Sequence, residues 1–427
     1  MEDVAKSERG HYLPFIYTPL PVIGTAPEVL DRFIAGKDPD TGKPVIREII
    51  DALTKPVSLK KPEAGSAPPG VKQIITPQVF LGPDSEDNLQ RLFYEREWTD
   101  GLPVILPTEE RVQKMLAGTG ASPDDVVGEE FLMDIREHII YTVRNIAVIA
   151  VMAGARPEYF PVILAIASTR RSSLSPSTTA FASLLLVNGP IRNELGMNSG
   201  VNVFGPGNMA NAVLGRAWTL LSFCHGHGKA KKTMWTSQGS NLTYNNMCIA
   251  ENEEMSAWTP FHVDKGFKAE ESVISMFGGW GKINSPGAAS NRPLDEELSI
   301  EYGVIPPLDS SATIVMDPLV ARNLKENQGF ATKRDYCRYL SEHVRIPAGQ
   351  YWKTDYIDML VASQAYQGVE PYASWKKLPD EALIAPFFNP QNINLIVAGG
   401  GVSPLWKATD YRYGISVSVD KWRPKKR

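Results

Sequence analysis

Apolar residues along this chain fall into short runs punctuated by glycine and proline, and their spacing predicts where strands and helices lie. Residues 1–75 are the least regular part. Only Ala26–Ala35 and Val45–Leu53 carry helical spacing, and Lys60–Gly70 (KKPEAGSAPPG) has the composition of a linker. Tyr12, Phe15, Ile16 and Tyr17 are costly to leave in water, which favours an extended arm wrapping a partner subunit or this chain's own body. Trp98–Pro107 predicts a short strand closed by proline, and Thr108 caps the helix expected after it. Gly128–Ala155 predicts one long helix, because Phe131, Ile135, Ile139, Val143, Ile146 and Ala150 recur at helical intervals. Pro157 then opens a second helix, Pro157–Ser168, antiparallel to the first.

The next stretch changes character. The apolar run Leu184–Val187 leads into a loop containing Gly189, Gly196, Gly200, Gly205 and Gly207, after which Asn208–Phe223 returns to helical spacing. Met234–Trp258 has an extended pattern, and Ser272–Phe277 alternates as a strand. The last third predicts strands at Ala312–Met316, Ile393–Val397 and Ile415–Val419, with helices at Pro318–Asn327 and Lys333–His343. Such strand, glycine-turn and helix units predict an α/β fold: mixed sheets with helices on the faces, in two intimately packed subdomains plus the N-terminal arm. The divisions expected are 1–75 for the arm, 76–290 for a helix-pair and Gly/Asn-loop ligand domain, and 291–427 for a C-terminal α/β subdomain. No internal repeat stands out.

Composition narrows the function classes. The chain has 427 residues, 43% hydrophobic and 22% charged, with a net charge of -4 that argues against nucleic acid or an anionic membrane as a partner. Cys224, Cys248 and Cys337 form neither a CxxC motif nor an even framework, which fits a reducing compartment. The polar opening MEDVAKSERGHYLP has no signal-peptide core, and Ile146–Ala155 is too short to span a bilayer, so a cytoplasmic location is expected.

Two constellations could carry chemistry. In the loop Asn188–Asn211, glycines permit close backbone approach while Asn188, Asn198, Ser199, Asn208 and Asn211 supply neutral donors and acceptors ahead of a helix N-terminus. Gly200, Gly205 and Gly207 belong to the same candidate substrate wall, as do Gly399 and Gly400 in the turn after Ile393–Val397. The loop lacks both a Walker A lysine and the GxGxxG spacing of a dinucleotide site. A structural loop whose asparagines bond their own backbone would look the same. Downstream, CIAENEEMSAWTPFHVD places Glu251, Glu253, Glu254, His262 and Asp264 beside Trp258 and Phe261. Carboxylates and an imidazole among apolar walls can form a general acid/base set or bind a metal. A solvated acidic turn followed by a core histidine is the bland alternative. Cys248 is the weakest catalytic candidate, since a buried thiol is ordinarily inert. His225 and His227 in FCHGHGKAKK fit a polar helix-end loop better than a zinc site.

The segments WTDGLPVILPTEERV, AVMAGARPEYFPVILA, LLVNGPIRNELGMNSG, FGPGNMANAVLGRA, CIAENEEMSAWTPFHVDKGF and IVAGGG, spread over roughly residues 95–400, resemble a family of bacterial proteins associated with UGSC-motif selenoproteins or their cysteine counterparts. The resemblance implies a small partner protein, or a fused domain, that supplies a reactive selenol or thiol, because this chain contains no GSC segment. It also implies a His-Ser pair after the last glycine turn, where this chain reads GGGVSPLWKA.

The sequence therefore predicts a cytoplasmic, homo-oligomeric enzyme of small-molecule metabolism, performing lyase or redox chemistry on a small organic acid or thiol. Glu251, Glu253 and His262 would move protons, and the glycine/asparagine loop would hold the substrate. A non-catalytic binding or scaffold subunit working with a thiol or selenol partner, and a metal-dependent hydrolase, are the alternatives. Cofactor and metal identity stay open.

Overall fold

A computed structural model of the protein describes residues 26–38, 41–55, 72–75, 79, 81–132, 137–174, 181–224, 228–230, 232–236, 238–284, 292–304 and 306–424. The described chain opens with helices α1 (Pro27–Ala35) and α2 (Val45–Thr54), then strand β1 (Lys72–Ile75) and helices α3 (Glu86–Glu95) and α4 (Glu109–Leu116). Trp98–Pro107, expected as a strand, has no regular structure. It is held by α3, where the Gln90 side-chain amide donates to the Val104 carbonyl at 2.7 Å and accepts from the Val104 N–H at 3.2 Å.

The long helix expected from Gly128 is a second departure. Strands β2 (Val126–Leu132) and β3 (Glu137–Thr142) occupy its first half, in a small sheet ordered β1-β3-β2, and helix α5 starts only at Val143 and ends at Met152. The apolar residues that fit helical spacing are divided between two paired strands: Phe131 is opposite His138 and Ile139 is opposite Glu130, so Phe131 and Ile139 lie on opposite faces. The helix begins where a cap exists: Thr142 and Asn145 form a reciprocal capping box. Helix α6 (Phe160–Ser168) follows and shares a core with α5.

The body consists of two halves with one topology. In the first half β4 (Ala182–Asn188) and β5 (Met247–Ala250) run parallel, joined through α7 (Pro190–Glu194) and α8 (Met209–Cys224). A one-turn helix α9 (Phe261–Asp264) precedes β6 (Val273–Gly279), which returns antiparallel to β4, and β7 (Lys282–Asn284) follows. The second half starts with α10 (Leu294–Val304) and β8 (Ala312–Met316), passes through α11 (Pro318–Arg322), α12 (Lys333–His343) and the ribbon β9 (Ile346–Pro347) and β10 (Leu383–Ile384), and reaches β11 (Ile393–Val397), parallel to β8. β12 (Trp406–Thr409) returns antiparallel to β8, and β13 (Arg412–Ser418) follows.

The fourth strand of each half crosses to the other. β7 pairs with β12 and β13 pairs with β6, giving sheets ordered β5-β4-β6-β13 and β11-β8-β12-β7. At the crossing, the buried Asp410 carboxylate accepts the Trp280 N–H at 3.0 Å and the Gly281 N–H at 2.9 Å. This repeat lies in strand order rather than in residue pattern, which is why it is not visible in the sequence. Each half lends a strand to the other's sheet, and residues 285–291, around the division expected near residue 290, lie outside the described residues.

The sheets stack in the middle of a four-layer sandwich. Leu184, Leu186, Ile249 and Phe277 of the first sheet pack against Val315 and Ile396 of the second. Alternate residues face outward, as the period of two requires. Leu185, Val187 and Met276 meet α5, α6 and α8, while Ile314, Leu395 and Val397 meet Leu298 of α10 and Leu340 of α12. Strands covered on both faces appear in sequence as unbroken apolar runs, which explains why Leu184–Val187, Ala312–Met316 and Ile393–Val397 are legible. Among the described residues no helix is long and apolar enough to cross a membrane.

Helix α8 lies directly on backbone. A Cβ at Gly215 would stand 1.8 Å from the Asn245 carbonyl oxygen and 3.0 Å from the Cys248 Cβ. Gly215→Ala is therefore expected to destabilise the protein by roughly 1–3 kcal/mol, despite alanine's advantage of about 1 kcal/mol in a helix. Urea unfolding checks this; an unchanged or raised midpoint would show that α8 is not seated as described.

Candidate functional site

The carboxyl ends of the parallel pairs β4–β5 and β8–β11 converge, and most of the candidate residues gather there. The joint is made by backbone and by one asparagine. Asn252 N–H donates to the Val397 carbonyl at 2.8 Å, Asn252 Nδ2 donates to the Gly399 carbonyl at 2.9 Å, and Gly399 N–H donates to the Ser199 carbonyl at 2.9 Å. Both glycine turns and the acidic stretch thus meet at one place. The turns approach closely enough to require glycine: a Cβ on Gly400 would lie 2.9 Å from the Val201 Cα, and Gly399 has φ 140.

Glu251 follows β5 and is fully buried. Its Oε2 accepts Asn188 Nδ2 at 2.6 Å and the Phe261 N–H at 2.6 Å, while its Oε1 accepts Lys333 Nζ at 3.1 Å and the Val397 N–H at 3.4 Å. Four donors occupy the lone-pair positions of a carboxylate, so Glu251 has no site left for a substrate proton. It connects β4, β11, α9 and α12. The role expected for it as a proton carrier gives way to a structural one.

Glu253 differs. Its Oε1 accepts the Gly189 N–H at 2.7 Å and Asn188 Nδ2 at 2.9 Å, and it lies 3.2 Å from Arg192 Nε. Its Oε2 takes part in none of these contacts, and the side chain is 14% exposed. His262 in α9 is fully buried, and neither ring nitrogen has a hydrogen-bond partner among the described residues. Its Nδ1 stands 4.0 Å from Glu253 Oε1. Glu254 continues the cluster outward, accepting Arg192 Nη2 at 2.5 Å and Asn193 Nδ2 at 3.1 Å. The Arg192 hydrogen bond holds its carboxyl well below the usual range, down to about 2.

The asparagines of the glycine loop largely bond one another. Asn198 N–H donates to Asn211 Oδ1 and Asn211 Nδ2 returns a bond to the Asn198 carbonyl, both at 2.9 Å. Asn198 Nδ2 reaches Asn208 Oδ1 at 2.9 Å, Gly200 N–H reaches Asn198 Oδ1 at 2.8 Å, and Asn208 Nδ2 bonds the Asn202 and Gly205 carbonyls at 2.8 and 3.0 Å. Gly207, with φ 92, turns the chain into α8. This is the self-bonded loop that the sequence left open as an alternative. Asn188 stands apart from it, at the end of β4 among the carboxylates.

Cys248 lies within β5 with its Cβ against Gly215 of α8, and burial pushes its thiol far above the ordinary value. Burial also raises Cys224 and Cys337, each to about 12. None of these environments supplies a thiolate near neutral pH. Among the described residues no group of three or more His, Cys, Asp or Glu side chains is placed to hold a metal ion. His225 and His227 lie outside the described residues.

Lys333 and Arg192 were not singled out from the sequence. Three carboxylates within four residues of a buried strand need cations, and that requirement was the available signal. Nothing local ties Lys333 to Glu251 across 82 positions. A concavity of about 710 Å³ lies elsewhere, between α3, α4 and α5, so charged geometry rather than cavity size marks the junction.

No known family profile matches the chain, and neither curated proteins nor solved structures show a significant match to it.

Lys333 is the one cation within 4 Å of Glu251 among the described residues. Lys333→Met is expected to cost about 3–5 kcal/mol by leaving a buried charge uncompensated. Urea midpoints of the wild type and the variant give the comparison; an unchanged midpoint would refute the pairing.

The depressed carboxyl of Glu254 makes a pH prediction. A group whose pKa falls on folding stabilises above its unfolded value of 4.5 and loses that contribution as pH falls toward about 2. At 58% exposure the effect is small. The wild type's advantage in melting temperature over Glu254→Gln should be full above pH 4.5 and gone below about pH 2.

Proposed function

We propose that the protein is an enzyme of small-molecule metabolism whose working groups lie at the meeting point of the four strand ends, with Glu253 as the proton-handling carboxylate. The observation that carries this reading is the asymmetry of Glu253. One oxygen is fixed by Asn188 and Gly189 with Arg192 Nε 3.2 Å away, while the other takes part in none of these contacts, on a side chain that is 14% exposed. A base held in this way needs no reorganisation to accept a proton. His262 supports the reading because a fully buried imidazole with two unbonded nitrogens costs stability, and its Nδ1 stands 4.0 Å from the fixed oxygen of Glu253. The half-buried glycines of the 399–401 turn and the Ser199–Gly200 edge form the adjoining wall. Lyase chemistry, in which a carboxylate removes a proton from a small polar substrate, uses these groups and no thiol of this chain.

A second reading has its own support. With Cys248 and Cys337 buried, Cys224 half-buried and all three pKa values raised, redox or thiol chemistry here would need a sulfur or selenium nucleophile from a partner, with this chain presenting the substrate. That is the arrangement the UGSC-family resemblance implies.

The readings separate on Glu253→Gln, assayed by incubating purified protein with a pool of cellular metabolites and following depletion by mass spectrometry. The enzyme reading expects one metabolite consumed by the wild type and a rate about 10²–10⁴-fold lower for Glu253→Gln, with ligand-induced thermal stabilisation retained. Equal rates for the two proteins would end the assignment of Glu253. Turnover that appears only after a small dithiol or selenol is added would favour the presenting subunit.

A further inference from the structure

The concavity between α3, α4 and α5 has a chemistry distinct from the strand-end junction. Its walls are Leu89 and Phe93 from α3, Trp98, Val112 from α4, and Val148 and Met152 from α5. Cys224, the last residue of α8, also lines it, whereas Asn208 at the other end of α8 belongs to the junction. The helix has 16 residues, so the two places are roughly 24 Å apart along it. A volume of about 710 Å³ is that of an ordinary small-molecule site, and such sites combine apolar walls with a few polar groups at one end.

Here the polar groups are Thr108, Glu109, Arg144 and Asn145. They belong to two helix starts: Thr108 caps α4, and Arg144 and Asn145 lie in the first turn of α5. The N-terminal dipoles of both helices and the Arg144 guanidinium make that end favourable for a negative charge. Arg144 is held weakly, its Nη1 donating to Glu109 Oε1 at 3.3 Å. The same Glu109 oxygen accepts Gln113 Nε2 at 2.6 Å, so Glu109 keeps a partner if Arg144 turns to another anion.

We propose that this groove binds a single-chain amphipathic carboxylate, a fatty acid or a molecule of similar form. The chain lies along Leu89, Trp98, Val148 and Met152, and the carboxylate replaces Glu109 on Arg144. Apolar burial supplies the affinity, and Arg144 supplies the preference for an acid over its neutral ester.

The test uses the full chain and two probes, dansyl-undecanoic acid and its methyl ester, titrated by fluorescence. Saturable one-to-one binding of the acid is expected. Val148→Trp and Leu89→Trp, which fill the groove from α5 and from α3, should abolish it, with circular dichroism confirming that each variant is folded. Arg144→Gln should weaken the acid roughly tenfold or more while leaving the ester unchanged. Because Arg144 lies at the mouth, that comparison decides the matter even if both tryptophan variants fail to fold. The proposal is overturned if the wild type shows no saturable binding, if binding survives in a folded tryptophan variant, or if Arg144→Gln affects acid and ester alike. Self-association that a tryptophan variant abolishes, without acid binding by the wild type, would instead make the groove an interface between copies of this chain.

Discussion

The buried carboxylate of Glu251 is the constraint on which the junction depends. Transferring an isolated carboxylate from water into the interior costs several kcal/mol even after relaxation, and only excellent geometry offsets it. Here the offset draws on four separate parts of the chain: Asn188 at the end of β4, the Phe261 N–H at the start of α9, Lys333 in the first turn of α12 and the Val397 N–H at the end of β11. Each donor is in position only when its own element is in place. The interaction therefore couples the two halves of the molecule more than it adds to their stability.

That coupling complements the strand exchange at the other end of the sheets. β7 and β13 cross between the halves, and Asp410 binds the backbone of the Trp280–Gly281 crossover. Glu251 and Asn252 join the halves where β5 and β11 end. Pinned at both ends and filled by Leu184, Leu186, Phe277, Val315 and Ile396, the interface between the sheets has little freedom to slide. A rigid frame of this kind suits a site whose groups must be held to within a fraction of an ångström.

The three neighbouring glutamates show how environment separates residues of one chemical type. Glu251 is saturated and structural, and Glu254 is held ionised by Arg192 at the surface. Glu253 lies between them with one oxygen fixed and one uncommitted. Residue type and spacing are nearly the same for all three, so nothing in the string ENEE distinguishes them.

What the sequence by itself determined is the set of strands buried on both faces and the capped helices: Ala312–Met316, Lys333–His343 and Ile393–Val397 were legible because continuous apolar runs and local capping are written in adjacent residues. Among the candidate residues named from the sequence, Asn188, Glu251, Glu253 and His262 come together in space, while the Asn198–Asn211 loop closes on itself. Phe131 and Ile139 fit helical spacing along the sequence, and the long-range pairing of β2 with β3 decided otherwise. The topological repeat, the exchanged strands, the inert setting of Cys248 and the role of Lys333 were decided by the tertiary structure alone. The physical reason is common to all of them: burial, saturation of hydrogen bonds and charge pairing are properties of what surrounds a residue in space, and here those surroundings come from segments far apart along the chain.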